Sequence, residues 1–256
     1  MFERDANGWT PEDYATLVRE AYSARYQPED FLAFATNESG LVTTRTPPRG
    51  PYAHNLSGHA SGLWQAMPEI LHNLGFPGTH ADFREVGIQT QLEWFSKYVE
   101  DWRGRFHFGE FRTGGALYLL NFAPAHLGHK DDPDFIIFDS RKAKEAATWR
   151  VNRGLDRPQA GHPEIPDPVD PRIKRKGYIN VRDLIVTVEL CRGLQVYKTA
   201  VTSLNKMAQA GLNRAGANLV EDGAIGPLSL AAFKAWAQGK PYQRLDGAAR
   251  LALLGS

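Results

Sequence analysis

Cysteine is almost missing from this chain of 256 residues: Cys191 stands alone. A single thiol excludes an intramolecular disulfide framework, and it suits folding in a reducing compartment. Without a His partner in a nucleophile motif, Cys191 reads as a buried structural thiol. Long apolar runs are missing too, since none approaches the roughly 20 residues of a membrane-spanning helix. Charge of one sign is lacking: 30 Lys and Arg stand against 29 Asp and Glu, leaving a formal net charge of +1. No global field therefore favours nucleic acid or a membrane surface. The opening Met1-Phe2-Glu3-Arg4-Asp5 carries acid and lacks the apolar segment of a secretory signal. No Gly-rich phosphate loop is present. His126 and His129 sit three apart, but nothing nominates a third and fourth ligand. The short oxygen-ligand spacing of a calcium loop is absent as well. The expectation is no cofactor and no metal.

What the chain does have is helical periodicity and length enough for one large domain or two smaller ones. Thr10-Pro11-Glu12-Asp13 reads as a helix start, followed by Tyr14, Leu17, Val18 and Tyr22 at helical spacing. Gln27-Pro28-Glu29-Asp30 starts a second helix that carries Phe31, Leu32, Phe34 and Ala35, with Gly40 able to end it. Residues 42–60 form a long connection rich in Thr, Pro, Gly and His. Helices are expected over 63–74, 82–102 and 113–122. After residue 131 the texture changes, with a short apolar run, Phe135-Ile136-Ile137-Phe138. Residues 157–176 are dense in Pro and charge and read as a linker or long loop, with Lys174-Arg175-Lys176 solvated. Helical spacing returns from Val181 through Met207.

Glu38 is the residue with the most chemical content. It is an isolated carboxylate at the end of an apolar helical run. Apolar and aromatic surroundings make ionisation costly, so its pKa should rise. A carboxyl still protonated near neutral pH can act as the general acid in glycosidic cleavage. By itself, Glu38 could equally be a solvated helix-end residue.

Three elements then carry a resemblance. Asn37-Glu38-Ser39-Gly40-Leu41 is followed by Gly62-Leu63-Trp64-Gln65-Ala66-Met67-Pro68 and by Leu119-Leu120-Asn121-Phe122-Ala123-Pro124. In kind and order they resemble the soluble lytic transglycosylase and goose-type lysozyme superfamily, over residues 10–150. Trp64 stands where Met is usual, and Leu120 and Ala123 replace the family's Tyr and Gly. The resemblance implies Glu38 as the catalytic residue, with Gln65, Met67 and Asn121 in the sugar groove. Tyr118, one turn before Asn121, would replace the missing Tyr. Ser57 lies a family-like distance before Gln65. Trp64 is either core or a sugar platform. Gln65 and Met67 could instead pack a helix start, and Asn121 could bridge helices.

A second resemblance lies near the C-terminus. Leu212-Asn213-Arg214-Ala215-Gly216, then Asp222-Gly223-Ala224-Ile225-Gly226-Pro227-Leu228-Ser229, resembles the small helical peptidoglycan-binding module. Leu228, Leu230, Phe233 and Trp236 of its last helix are expected to pack inward.

The expected fold is therefore mainly α: a lysozyme-like domain over 1–150, a linker over 151–176 and a small helical wall-binding-like domain over 177–256. The resemblance implies a muramidase or lytic transglycosylase, cutting the β-1,4 bond between N-acetylmuramic acid and N-acetylglucosamine of peptidoglycan. The protein would act in the cell wall or periplasm, delivered by a phage particle, a lysis system or an injection apparatus. Phage-tail or secretion-apparatus proteins would be its other partners. Two alternatives stand beside this reading: a non-catalytic part of a phage baseplate or injection apparatus, and a chitinase-like glycosidase on the same fold.

Overall fold

In the computed structural model, which describes residues 4–54, 59–107, 109–159, 162, 164–214 and 216–237, helix α2 (Pro28–Ser39) is enclosed along most of its length. Nine of its 12 residues are buried, on every side. A helix apolar all round has to be surrounded. Its neighbours are α6 (Gly114–Phe122), α8 (Val181–Arg192) and α9 (Gln195–Arg214). Phe31 and Phe34 meet Phe95 at ring-centroid distances of 4.9 and 5.7 Å. Phe95 belongs to α5 (Ile88–Phe106), which lies along α1 (Pro11–Ala24).

The start signals work as local chemistry predicts. Thr10 and Asp13 form a reciprocal capping box around Pro11. Gly40, with φ of 77°, closes α2 in the left-handed region that glycine tolerates. The chain leaving α2 is pinned by the N-terminal segment, because the Trp9 indole donates to the Leu41 carbonyl at 3.1 Å.

Helices α6 and α8 approach closely because α6 begins with two glycines. A Cβ on Gly115 would lie 2.9 Å from the Ile185 backbone, and one on Gly114 would lie 2.5 Å from a Val188 methyl. Strand content is small. Among the described residues it comprises β1 (Thr44–Arg45) with β2 (Pro48–Arg49), β3 (Ile136–Asp139) with β6 (Tyr178–Asn180), and β4 (Ile165–Pro166) with β5 (Lys174–Arg175), each pair antiparallel. No helix among the described residues is long and apolar enough to cross a membrane. The mainly helical class is as expected.

Several boundaries differ from the sequence expectation. The helix expected over 63–74 begins only at Pro68, as α3 (Pro68–Asn73). Met67, ahead of a proline, is held extended, as pre-proline residues prefer. Residues 61–66 instead form a tight hairpin closed by paired backbone bonds between Ser61 and Ala66. The helix expected over 82–102 is split into α4 (His80–Phe83) and α5, with an extended Gly87 between them. Gly193 likewise separates α8 from α9.

The stretch read as a linker is well anchored. Lys176 is not solvated: its side chain is fully buried, 2.7 Å from Asp183 and 3.7 Å from Asp156. Asp156 also accepts from the backbone nitrogens of Lys176 and Gly177 and from the Trp149 indole, at 2.8–2.9 Å. Trp149 lies on α7 (Ala146–Asn152). Beyond residue 177, Ile179, Val181, Leu184, Val188, Ala200 and Leu204 join the same core as Phe34 and Phe95. From residue 131 to 180 short strands interrupt the long helices, which return with α8 and α9.

The last helix, α10, spans Pro227–Ala237. Its Leu228 and Leu230 are 77% and 40% exposed rather than packed inward. The side chains of Phe233 and Trp236 lie outside the described residues. Gln209 of α9 organises the preceding turn, accepting from the Gly223 nitrogen at 2.7 Å and donating to Asp222 and to the Ala224 carbonyl at 3.0 Å.

Candidate active site

Glu38 sits in the last turn of α2, where the apolar run ends and the chain turns at Gly40. Asn37 is its immediate neighbour and donates from one amide nitrogen to Glu38 Oε1 at 3.1 Å and to the Tyr118 hydroxyl at 2.8 Å. Asn121 Nδ2 approaches Glu38 Oε2 at 3.5 Å. Tyr118 and Asn121 are three apart on α6 and so share a face. The close α6–α8 packing holds that face in place.

Glu38 is half-buried as a residue, yet desolvation pushes its carboxyl from an ordinary 4.5 up to about 7. Hydrogen bonds from Asn37 and Tyr118 act the other way and do not cancel the burial. The negative end of the α2 dipole adds to the rise. None of these perturbing groups is a cation or a second carboxylate. Burial, and then the charge of Glu38, also push the Tyr118 phenol up. A Tyr118 hydroxyl that accepts from Asn37 keeps its own proton for the carboxylate.

One further group lies within electrostatic reach of Glu38. Cys191 of α8 is a buried thiol, pushed up by burial, lowered by Arg157 and raised by Glu38. Arg157 donates to the Thr187 hydroxyl at 3.3 Å, one turn before Cys191. Asn37 is thus a site residue that sequence reasoning passed over, although it adjoins Glu38. An Asn at a helix end is too ordinary to signal anything. Cys191 is buried, as expected, but its nearness to Glu38 comes from an element distant in sequence and was not readable.

The other expected site residues have these surroundings. Gln65 has a left-handed backbone, φ 51°, at the tip of the 61–66 hairpin, and its amide nitrogen donates to the Gly62 carbonyl at 3.1 Å. That hairpin is fixed by buried Gln91, which accepts from the Leu63 nitrogen at 2.8 Å and donates to the carbonyls of Pro51 and Phe83. Met67 is 39% exposed. Trp64 has zero exposure, stacked on Tyr98 at 5.3 Å and edge-on to Phe83 at 5.8 Å. It is core, with no face open to a sugar. Ser57 lies outside the described residues. His126 and His129 pack on Phe135, at 5.4 and 3.6 Å between centroids.

A cleft of about 580 Å³ lies between the N-terminal segment and α9, lined by Arg4, Asp5, Lys198 and Ser203 among others, and Glu38 does not border it. Asp5 is saturated there: it accepts from the backbone of Asn7 and Trp9, from the Tyr14 hydroxyl at 2.6 Å and from Ser203 at 3.0 Å. Comparison of the chain with protein-family models, with curated proteins and with solved structures finds no match.

Proposed function

We propose that this protein is a peptidoglycan-cleaving muramidase or lytic transglycosylase, acting on the β-1,4 bond between N-acetylmuramic acid and N-acetylglucosamine. The observation that carries the reading is Glu38: a carboxyl that still holds its proton near neutrality and is framed by Asn37, Tyr118 and Asn121. The three sequence elements and the mainly helical architecture support it.

Glu38 gives its proton to the glycosidic oxygen as the bond to the anomeric carbon breaks. The leaving sugar departs as an alcohol, and the remaining sugar carries oxocarbenium character. Glu38, now a carboxylate, takes a proton from the attacking hydroxyl and is restored for the next cycle. Single-carboxylate logic favours the muramyl 6-hydroxyl as attacker, which gives an anhydro end; water in that place would give a reducing end. Hydrogen bonds from Asn37, Tyr118 and Asn121 stabilise the carboxylate formed between the two steps. On this reading the site of action is the cell wall or periplasm, reached with a phage particle, a lysis system or an injection apparatus. The turn organised by Gln209, with the two helices beside it, would hold the wall.

Mass spectrometry of peptidoglycan digested by the wild type and by Glu38→Gln tests the proposal. Muropeptides with anhydro or new reducing ends should accumulate with the wild type alone. Intact walls with both proteins would favour a scaffold role. Cleavage of chitin oligomers with untouched peptidoglycan would favour the chitinase-like alternative.

A further inference from the structure

Beyond Asn121 a chain of rings leads away from Glu38. Phe122 follows Asn121 directly, and its ring lies 5.9 Å from that of Tyr118. Phe122 meets Phe138 of β3 edge-on at 5.5 Å. Phe138 meets His126 at 6.4 Å, His126 meets Phe135 at 5.4 Å, and Phe135 stacks on His129 at 3.6 Å with the two planes 5° apart. The Phe rings are half-buried, His126 is half-buried and His129 is exposed. The row therefore runs from the buried carboxyl cluster out to solvent.

Its backbone is held by hydrogen bonds on both sides of Phe135. Residues 136–139 pair with β6, and the backbone nitrogens of Val181 and Arg182 at the start of α8 donate to the carbonyls of Phe135 and Pro133 at 3.1 and 2.8 Å. The three Phe rings pack on the core with one side, stay partly exposed, and lead to a His129 that is exposed. A fully apolar ligand would have no use for the two imidazoles, and a charged one would find no matching charge in the row. A pyranose suits both features: its C–H face carries weak positive charge and packs on the negative face of an aromatic ring, while its hydroxyls and acetamido groups pair with imidazole. Desolvation and the neighbouring His129 hold His126 below its ordinary value, so it serves there as a neutral donor and acceptor.

We infer that Phe122, Phe138, His126, Phe135 and His129 form a stacking track that carries the β-1,4-linked N-acetylhexosamine strand into the Glu38 site. This inference rests on the glycosidase reading for the identity of the strand. The row's continuity with Asn121 and Tyr118 fixes the occupant as the same glycan that Glu38 would cut.

The test uses full-length protein and soluble glycan strands released from peptidoglycan by an amidase. Binding is measured by calorimetry in the Glu38→Gln background, so the strands stay intact. Adding His129→Ala or Phe135→Leu should raise Kd by roughly three- to tenfold, the range expected for loss of one aromatic contact. His129 is exposed, so its removal leaves the fold intact, and an unchanged thermal melt verifies that. A Kd within about twofold of the parent for both variants, or no binding by the parent, overturns the track. The two readings fail separately. Strand binding that depends on His129, with no cleavage by the wild type, leaves the track standing and removes Glu38 as catalyst. Cleavage by the wild type with binding indifferent to both substitutions does the reverse.

Discussion

Two of the regions that bury carboxyl groups supply them with opposite kinds of partner. Around Lys176, two carboxylates are met by a buried ammonium, by backbone nitrogens and by an indole. Around Glu38 the partners are an Asn on each side and a phenol, all neutral. A compensated charge is a structural tie. An uncompensated carboxyl keeps its proton, because ionising it in that setting is costly. The contrast makes Glu38, rather than any member of the Lys176 cluster, the candidate for chemistry.

The largest effect expected is on turnover. Glu38→Gln keeps shape and hydrogen-bonding capacity but cannot act as a carboxylic acid. General acid–base contributions are about 10²–10⁴-fold, and one residue serves both steps here, so the loss should reach the upper end. A turbidity assay on cell walls measures it. Retention of more than about a tenth of wild-type turnover, far outside that range, would remove Glu38 from the mechanism.

Next comes stability, where the two regions should diverge. Lys176→Met leaves Asp156 and Asp183 buried without their cation. Removing one partner of a buried pair costs about 3–5 kcal/mol, which denaturant titration would read as a large drop in the unfolding midpoint. Glu38→Gln should leave the midpoint unchanged or higher, because it removes a strained ionisation. Equal tolerance of both substitutions would erase the distinction drawn between the regions.

A smaller effect sharpens the comparison through pH. Glu38 is raised from 4.5 to about 7 by burial. Between those values the folded state binds more protons at this site than the unfolded state, so stability falls as pH rises. The favourable contribution is complete below about 4.5 and gone above about 7. Asp30, raised to about 6 by burial in spite of Arg192, adds a similar slope. The difference in melting temperature between Glu38→Gln and wild type isolates Glu38. It should grow from pH 4.5 to 7 and then level. A flat difference would mean that the carboxyl is ordinary.

Legibility in the sequence followed the range of the forces. Capping boxes, Pro at helix starts and the Gly40 stop are local, and they placed α1 and α2 correctly. The apolar run before Glu38 predicted desolvation, and desolvation is the first cause of its shift. Tyr118 and Asn121 share a helix face, so their joint arrival at Glu38 was readable too. The pairing of Ser61 with Ala66 was not, because a hairpin closed by backbone bonds leaves little side-chain signature. Nor was the buried Lys176, since its partners lie 20 residues before it and seven after it. A basic run looks solvated until the fold supplies the acids. The packing of α8 on α6 was not readable either, because it depends on Gly114 and Gly115 leaving room for Ile185 and Val188 about 70 residues later.

The finest probe of the comparison is Tyr118→Phe. The hydroxyl accepts from Asn37 at 2.8 Å and is among the groups that lower the Glu38 pKa. Removing it deletes a donor to the ionised carboxylate, while Asn37, exposed to water, finds a replacement partner. The ionised form loses support and the protonated form does not, so the Glu38 pKa should rise further. Activity that requires the protonated acid should then persist to higher pH, with its falling limb displaced upward by less than about one pH unit, the equivalent of a single hydrogen bond. Turnover at low pH, where Glu38 is protonated in both proteins, should change only a few-fold, since the acid itself is intact. A limb displaced downward would mean that Tyr118 supports the neutral carboxyl instead, and the same phenol would then belong to the proton-holding machinery rather than to the stabilisation of the carboxylate formed between the two steps.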